Sequence, residues 1–171
     1  MRRKLKKEFF DRSAIKVAGK LLGKYLVRKI GVKNRAYMIT EVEVYDGHKD
    51  KASHARSGKT KRNWPMYGPA GKFYIYFTYG MHHMLNIVCG KKEYPSAILI
   101  RGVKDISGPG RLTKALKIDK KLNALAAGPK TGLWFEDKGV RIKKSEIKRT
   151  PRVGIDHAGK YWGRKPWRFV V

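Results

Sequence analysis

Cysteine is almost absent from this chain. Cys89 is the only one in 171 residues, which excludes an internal disulfide and a cysteine-built zinc site within one chain. Such usage fits a reducing compartment. Acidic residues are also in short supply, 13 Asp and Glu against 41 Lys and Arg, for a formal net charge of +28. A chain so unbalanced repels itself unless a polyanion neutralises it. Nucleic acid leads as the partner, ahead of acidic membrane surfaces and ribosomal RNA assemblies. No run approaches the roughly 18 apolar residues of a membrane span. The basic opening MRRKLKK could start a signal peptide, but none is expected, because Lys16, Lys20 and Lys24 interrupt everything apolar that follows. Internal repeats, low-complexity blocks and linkers are missing too. The expectation is a soluble intracellular protein with no membrane partner, cytoplasmic or nucleoid-associated, or nuclear in a eukaryote.

What is present is enough apolar material for a core, 42% hydrophobic residues over one domain's length, expected to be a single domain over residues 1–171. The chain is organised around residues 37–45, YMITEVEVY. Period-two alternation puts Met38, Thr40, Val42 and Val44 on one strand face, read as core, and Tyr37, Ile39, Glu41, Glu43 and Tyr45 on the other. Taken alone, the two carboxylates read as the solvated side of a half-buried antiparallel strand. In a chain this short of acid, two on one face ending at an aromatic ring need a further reason.

Around that strand, Ile15, Ala18, Leu21 and Leu22 recur at helical spacing after an N-cap at Asp11 or Ser13. Residues 25–30 read as a strand forming a hairpin with the central one through a turn over residues 31–34. Residues 46–72, rich in Gly, Pro, Lys and Arg, form a connection long enough to be functional. Strands follow over residues 73–79, 83–89 and 97–103, with Gly80 permitting a tight turn between the first two. Gly108, Pro109 and Gly110 open a helix over residues 111–118, and residues 121–127 read as a second short helix closed by Gly128 and Pro129. Residues 133–135 and 140–142 read as a hairpin about Glu136, Asp137, Lys138 and Gly139. Trp162, Trp167 and Phe169 give the tail the bulk of a packed end.

Several short patterns fail on inspection. Ser57-Gly58-Lys59-Thr60 resembles the end of a phosphate-binding loop, but Ser53 stands where its first glycine belongs. Gly108-Pro109-Gly110 has Thr113 in place of a third glycine, so it reads as a helix-initiating turn. His48, His54, His82 and His83 lack zincin spacing, and no metal site is expected. The tyrosines carry more. Tyr45, Tyr67, Tyr74, Tyr76 and Tyr79 cluster about the basic loop, and aromatic faces interleaved with Lys and Arg are what unstacked bases bind. Tyr67 and Tyr74 read as core instead.

EVEVYDG, His54 within SHARSGKTKRN, YIYFTYGMHHMLNIV, AILIRGV, SGPGRLTKAL, TPRVGID and PWRF together resemble the alkyladenine (methylpurine) DNA glycosylase family, in order and spacing, from about Phe9 to Phe169. The resemblance implies a monofunctional base-excision-repair glycosylase that hydrolyses the N-glycosidic bond of methyladenine- or hypoxanthine-class purines flipped out of duplex DNA, as a monomer and without a cofactor. The elements and the resemblance together predict an α/β mixed (α+β) single domain with a curved, mainly antiparallel sheet, a β-hairpin insertion and several short helices. The family's general base falls on Glu43, its base-stacking residues on Tyr45, His54 and Tyr76, and its wedge on Tyr79 at the turn shared with Met81. Its pocket asparagine falls on Asn86 and its arginine beyond the next strand on Arg101. This sequence departs from the family pattern at none of the seven positions Glu43, Tyr45, His54, Tyr76, Tyr79, Asn86 and Arg101, whereas the intervening loops differ in length and charge from those of larger members.

The chemistry asks for such residues. A base must leave the helix before a side chain reaches its sugar bond, at a cost of a few kcal/mol. An electron-poor alkylated purine gains stacking and cation–π attraction between aromatic walls. Bond cleavage builds positive charge on the sugar, which a carboxylate at Glu43 favours while deprotonating water. Glu41, roughly 6.6 Å along the strand, reads as the partner of a nearby Lys or Arg rather than a second acid. A lysine nucleophile would give strand cleavage instead. Arg56, Lys59, Lys61, Arg62 and Arg101 are candidate phosphate contacts. The rival reading is a non-enzymatic basic module on DNA or ribosomal RNA, with core tyrosines and surface acids.

Overall fold

The computed structural model describes residues 3–171, so Met1 and Arg2 of the basic opening lie outside it. After strand β1 (Arg3–Lys4) and the single turn α1 (Lys7–Phe10), Ser13 precedes helix α2 (Ala14–Leu21), whose Ala14, Val17, Ala18 and Leu21 are buried. The expected amphipathic helix forms, but of the residues assigned to its apolar face only Ala18 and Leu21 lie in the stripe: Ala14 and Val17 complete it, Ile15 is half-buried, and Leu22 is buried just past the helix end. Gly23, at φ +77, diverts the chain into β2 (Tyr25–Ile30), and Gly31, at φ +60, returns it as the fourteen-residue β3 (Lys33–Asp46). A hairpin, β4 (Phe73–Thr78) and β5 (His82–Val88), leads to β6 (Ser96–Val103), the short β7 (Ile106–Ser107) and helix α3 (Pro109–Ala115). The chain ends with β8 (Leu133–Asp137), β9 (Lys148–Thr150), the one-turn α4 (Gly159–Gly163) and β10 (Arg168–Val170).

The fold is α+β, with every strand pair antiparallel along the order β1-β8-β2-β3-β6-β5-β4. β3 is central: its first half pairs with β2 and its second with β6, while β10 joins it so that Arg168 faces Glu43 and Val170 faces Glu41. Ile39, Val42 and Val44 of β3 sit in one core with the buried stripe of α2 and with Leu85, Ile87, Ile98 and Ile100. Helix α3 lies hard against β5. A Cβ on Gly110 would fall 2.8 Å from His82 Cγ, and Thr113 Oγ1 donates to the His83 carbonyl at 2.8 Å. This contact buttresses the β4–β5 hairpin beside its turn. Among the described residues, no helix is long and apolar enough to cross a membrane.

Three local expectations are corrected. Strict alternation placed Ile39 with the glutamates and Met38 and Thr40 in the core, but Ile39 is fully buried in the core and the other two are half-buried. The β3–β6 register shifts between Ile39 and Glu41 and again between Glu41 and Val42, and such bulges reset which face a residue takes. Residues 121–127 make only one 3-10 turn, Lys120–Leu122. Their backbone pairs with β4 instead: Phe73 N donates to Leu125 O, Ala124 N to Phe73 O, and Asn123 Oδ1 accepts from Ile75 N. The expected hairpin about residues 136–139 does not form, because β8 already has β2 and β1 on its two sides. The segment after it packs over Gly23, where a Cβ would meet Ile142 Cγ1 at 2.8 Å.

Candidate active site

Where Glu41 and Glu43 alternate with Val42 and Val44, they point to the sheet face opposite α2, and both are buried. Neither is solvated: the Arg101 and Arg168 side chains close on Glu41 and the Val153 backbone closes on Glu43, while β10 extends the sheet beside them. Glu43 is fully buried. Its Oε1 accepts from the Val153 backbone N–H at 2.8 Å, and its Oε2 accepts from the Tyr45 hydroxyl at 3.0 Å. Arg101 Nε stands 3.5 Å from the same carboxylate. Burial raises the Glu43 pKa above the usual carboxylate range, and Arg101, the Val153 and Tyr45 hydrogen bonds and Arg152 oppose that rise without cancelling it. Glu41 has the arginine partners the sequence suggested: Oε1 accepts from Arg101 Nε at 2.8 Å and Arg168 Nε at 2.6 Å. Gly102 opposite leaves it room, since a Cβ there would sit 3.2 Å from Glu41 Cβ.

In front of Glu43 lies a cleft of about 520 Å³. Its floor is the sheet face, with Tyr45 from β3, Leu99 and Arg101 from β6, Asn86 from β5 and Tyr76 from β4. Glu43 itself lies behind this floor, touching three residues that line it: Tyr45, Arg101 and Val153. One wall is the long basic loop, which enters as a 3-10 turn at His54–Ser57. Asn63 holds that turn, its Nδ2 donating to the carbonyls of His54 and Gly58, both at 2.8 Å. Residues 153–157 of the tail form the other wall.

The structure thus brings Tyr45, His54, Tyr76, Asn86 and Arg101 to one cleft. The His54 ring meets Tyr76 edge-on at 4.6 Å between centroids, and its Nδ1 shares a 2.8 Å hydrogen bond with the Tyr74 hydroxyl. Desolvation on its protein side, then Arg62, His157 and Arg56, lower its pKa, so it is neutral at physiological pH. Its cleft side stays exposed. Burial pushes the Tyr76 hydroxyl up to about 12, and Arg62 lies 5.1 Å over its ring. The Tyr45 hydroxyl is raised as well, by burial and then by Glu43. Asn86 spends both amide hydrogens on the carbonyls of Tyr74, at 3.1 Å, and Met84, at 3.3 Å, which fixes its side-chain orientation. Tyr67 and Tyr74 are core residues, as read.

Tyr79 and Met81 stand clear of the surface at the β4–β5 tip, 80% and 67% exposed. Tyr79 at φ 51 and Gly80 at φ 65 close a tight turn, with Met81 N donating to Thr78 O at 3.2 Å. A tyrosine in the left-handed region costs about 1–2 kcal/mol, strain of the kind that collects at functional sites. The basic candidates are scattered by comparison. Arg56 and Arg101 line the cleft and Arg62 stacks on Tyr76, whereas Lys59 is exposed and pairs with Glu93 at 3.4 Å. Among the described residues no group of three or more His, Cys, Asp or Glu is arranged to hold a metal ion.

Sequence reasoning missed the clamp beneath the cleft. Asp50 and Arg152, both with side chains 0% exposed, form a two-pronged ion pair at 2.6 and 2.9 Å. Arg152 also donates to Val44 O at 2.8 Å and lies 4.8 Å over Tyr45 and 5.1 Å over Trp167. It thereby seats the neighbouring Val153 N–H on Glu43. The only sequence signal for Asp50 was the rarity of acid within a basic loop, and a backbone N–H such as that of Val153 has none.

A sequence profile described as methylpurine-DNA glycosylase matches the chain over residues 8–108 and 104–171. The chain is similar to proteins that carry the provisional name 3-methyladenine DNA glycosylase. It is 40% identical to one from Methanocella arvoryzae, covering 96% of this chain and 90% of the relative. One from Streptomyces avermitilis is 38% identical, with 98% and 87% covered, and one from Legionella pneumophila 39% identical, with 99% and 94% covered.

Proposed function

The chain belongs to the methylpurine-DNA glycosylase family, and from that premise we propose that it hydrolyses the N-glycosidic bond of methyladenine- and hypoxanthine-class purines extruded from duplex DNA. The observation that carries this reading is the buried Glu43 carboxylate set directly behind an aromatic cleft and sharing three neighbours with it. In the reaction, Tyr79 and Met81 enter the duplex and fill the space the nucleotide leaves, against an extrusion cost of a few kcal/mol. The rigid turn and the α3 buttress hold the wedge in place.

The extruded base stacks among Tyr45, His54 and Tyr76, each stacked aromatic contributing about 1–3 kcal/mol. A neutral His54 matters here, because an imidazolium would repel a cationic alkylpurine. Asn86, its amide hydrogens spent on the backbone, restricts which ring substituents fit. As the sugar bond lengthens, Glu43 stabilises the positive charge growing on the deoxyribose and takes a proton from the attacking water. Its raised pKa suits a base that must accept a proton, and Glu41 neutralises Arg101 so that this cation does not oppose the developing charge. Arg56, Lys59, Lys61 and Arg62 engage phosphates around the opening, and Arg101 reaches the sugar side. The enzyme acts as a monomer on double-stranded DNA, without a lysine Schiff base.

The test is direct. Labelled duplexes containing hypoxanthine or a methylated adenine are incubated with the protein, and free base and abasic sites are measured. Release of either base with intact strands is expected. If neither lesion yields abasic sites, the proposal fails.

A further inference from the structure

On the sheet face opposite the cleft, a groove of about 1000 Å³ runs between α2 and residues 140–147. Its floor is apolar, formed by Phe9, Leu22, Val140, Ile142 and Ile147. Its rims are cationic: Arg12, Lys16 and Lys20 on one side, Arg141 and Lys144 on the other, all exposed. The one acid in the groove, Asp137, is taken up by Lys24 at 2.9 Å and by the Gly139 N–H. Among the described residues, none of the five rim cations is within ion-pair distance of a carboxylate.

Gly19 supplies a second, independent observation. It sits inside α2, where glycine weakens a helix relative to any ordinary residue. Packing does not require it, because a Cβ there would meet nothing within 4 Å. A side chain at this position would stand in the groove, so the absence of one keeps the groove open.

We infer that this groove docks an acidic peptide segment of a partner protein, with apolar side chains seated on the floor and carboxylates on the rims. Charge complementarity selects an anion, and the recessed apolar floor selects a peptide over a nucleic-acid backbone, which has nothing to place there. Because α2 lies on the far side of the sheet from Glu43, the partner binds while the cleft is engaged. The inference does not rest on the excision chemistry.

The test uses the full chain and a fluorescein-labelled peptide alternating Asp or Glu with Leu or Phe, read by anisotropy at physiological ionic strength. A control peptide replaces Leu and Phe by Ser at equal charge. The apolar peptide is expected to bind about tenfold tighter than the control or better. Gly19→Phe should abolish that advantage without lowering the melting temperature or base release, and Lys16→Glu with Lys20→Glu should weaken both peptides. Equal binding of the two peptides, or an apolar preference that survives Gly19→Phe, overturns the inference. So does a result in which Gly19→Phe weakens undamaged duplex binding but not the peptide, which would make the groove a nucleic-acid site.

Discussion

Removing Asp50 tests the architecture under the cleft. In Asp50→Ala the Arg152 guanidinium, 0% exposed, keeps its place between Tyr45 and Trp167 but loses both carboxylate hydrogen bonds. Leaving a buried charge without its partner costs about 3–5 kcal/mol, whereas breaking an exposed pair costs about 0–1 kcal/mol. Against a total stability of about 5–15 kcal/mol, the buried case is severe but survivable. At this chain length each kcal/mol shifts the melting temperature by roughly 2–4 °C, so a fall of about 6–20 °C is expected. Urea unfolding followed by tryptophan fluorescence gives the free energy, and calorimetry the temperature. Arg152→Ala alone should also destabilise, and the double variant should cost well below the sum of the two singles, since each removes the other's penalty. Base release should fall even where Asp50→Ala remains folded, because an Arg152 held only by the Val44 carbonyl and two rings seats Val153 less firmly on Glu43. A loss under about 1 kcal/mol for Asp50→Ala, or simple additivity, would refute a dry, obligatory clamp.

Tyr79→Asn should preserve or raise stability by under about 1 kcal/mol, because asparagine tolerates the left-handed region, while extrusion-dependent base release from duplexes drops. A matching loss of stability would make Tyr79 structural. Gly110→Ala forces a methyl against His82 and should cost about 1–3 kcal/mol by thermal melting, with weaker lesion-duplex binding through a displaced hairpin tip. Glu43 holds its proton more tightly folded than unfolded. Stability therefore falls as pH rises from the unfolded carboxylate value of about 4.3 through the raised folded one. Glu43→Gln should accordingly melt higher than wild type at neutral pH, with the gap closing in acid. A gap that widens toward acid would reverse the sign of the burial argument.

Much of this was legible because it is local. β2 spans the residues its composition indicated, Gly31 and Gly80 mark the two hairpin turns, and the gathering of Tyr45, Tyr76 and Tyr79 follows from tyrosines beside a basic loop, whereas His54 was reached only through the family resemblance. Non-local pairing decided the rest. The glutamates are buried because β10, more than a hundred residues later, lies alongside them, and the phase of β3 depends on register shifts against β6 that no periodicity shows. Residues 121–127 carry helix-forming side chains, but their backbone groups bond to the free edge of β4. Asp50 and Arg152 meet across a separation of 102 residues, and neither marks the other in sequence.

The central claim is that Glu43 acts on the bond-breaking step rather than on binding, and single-turnover base release by Glu43→Gln measures it most directly. On a duplex containing hypoxanthine or a methylated adenine, the rate should fall by about 100-fold or more while lesion-duplex affinity stays within about threefold of wild type. A rate within about threefold of wild type, at equal affinity, would contradict the account.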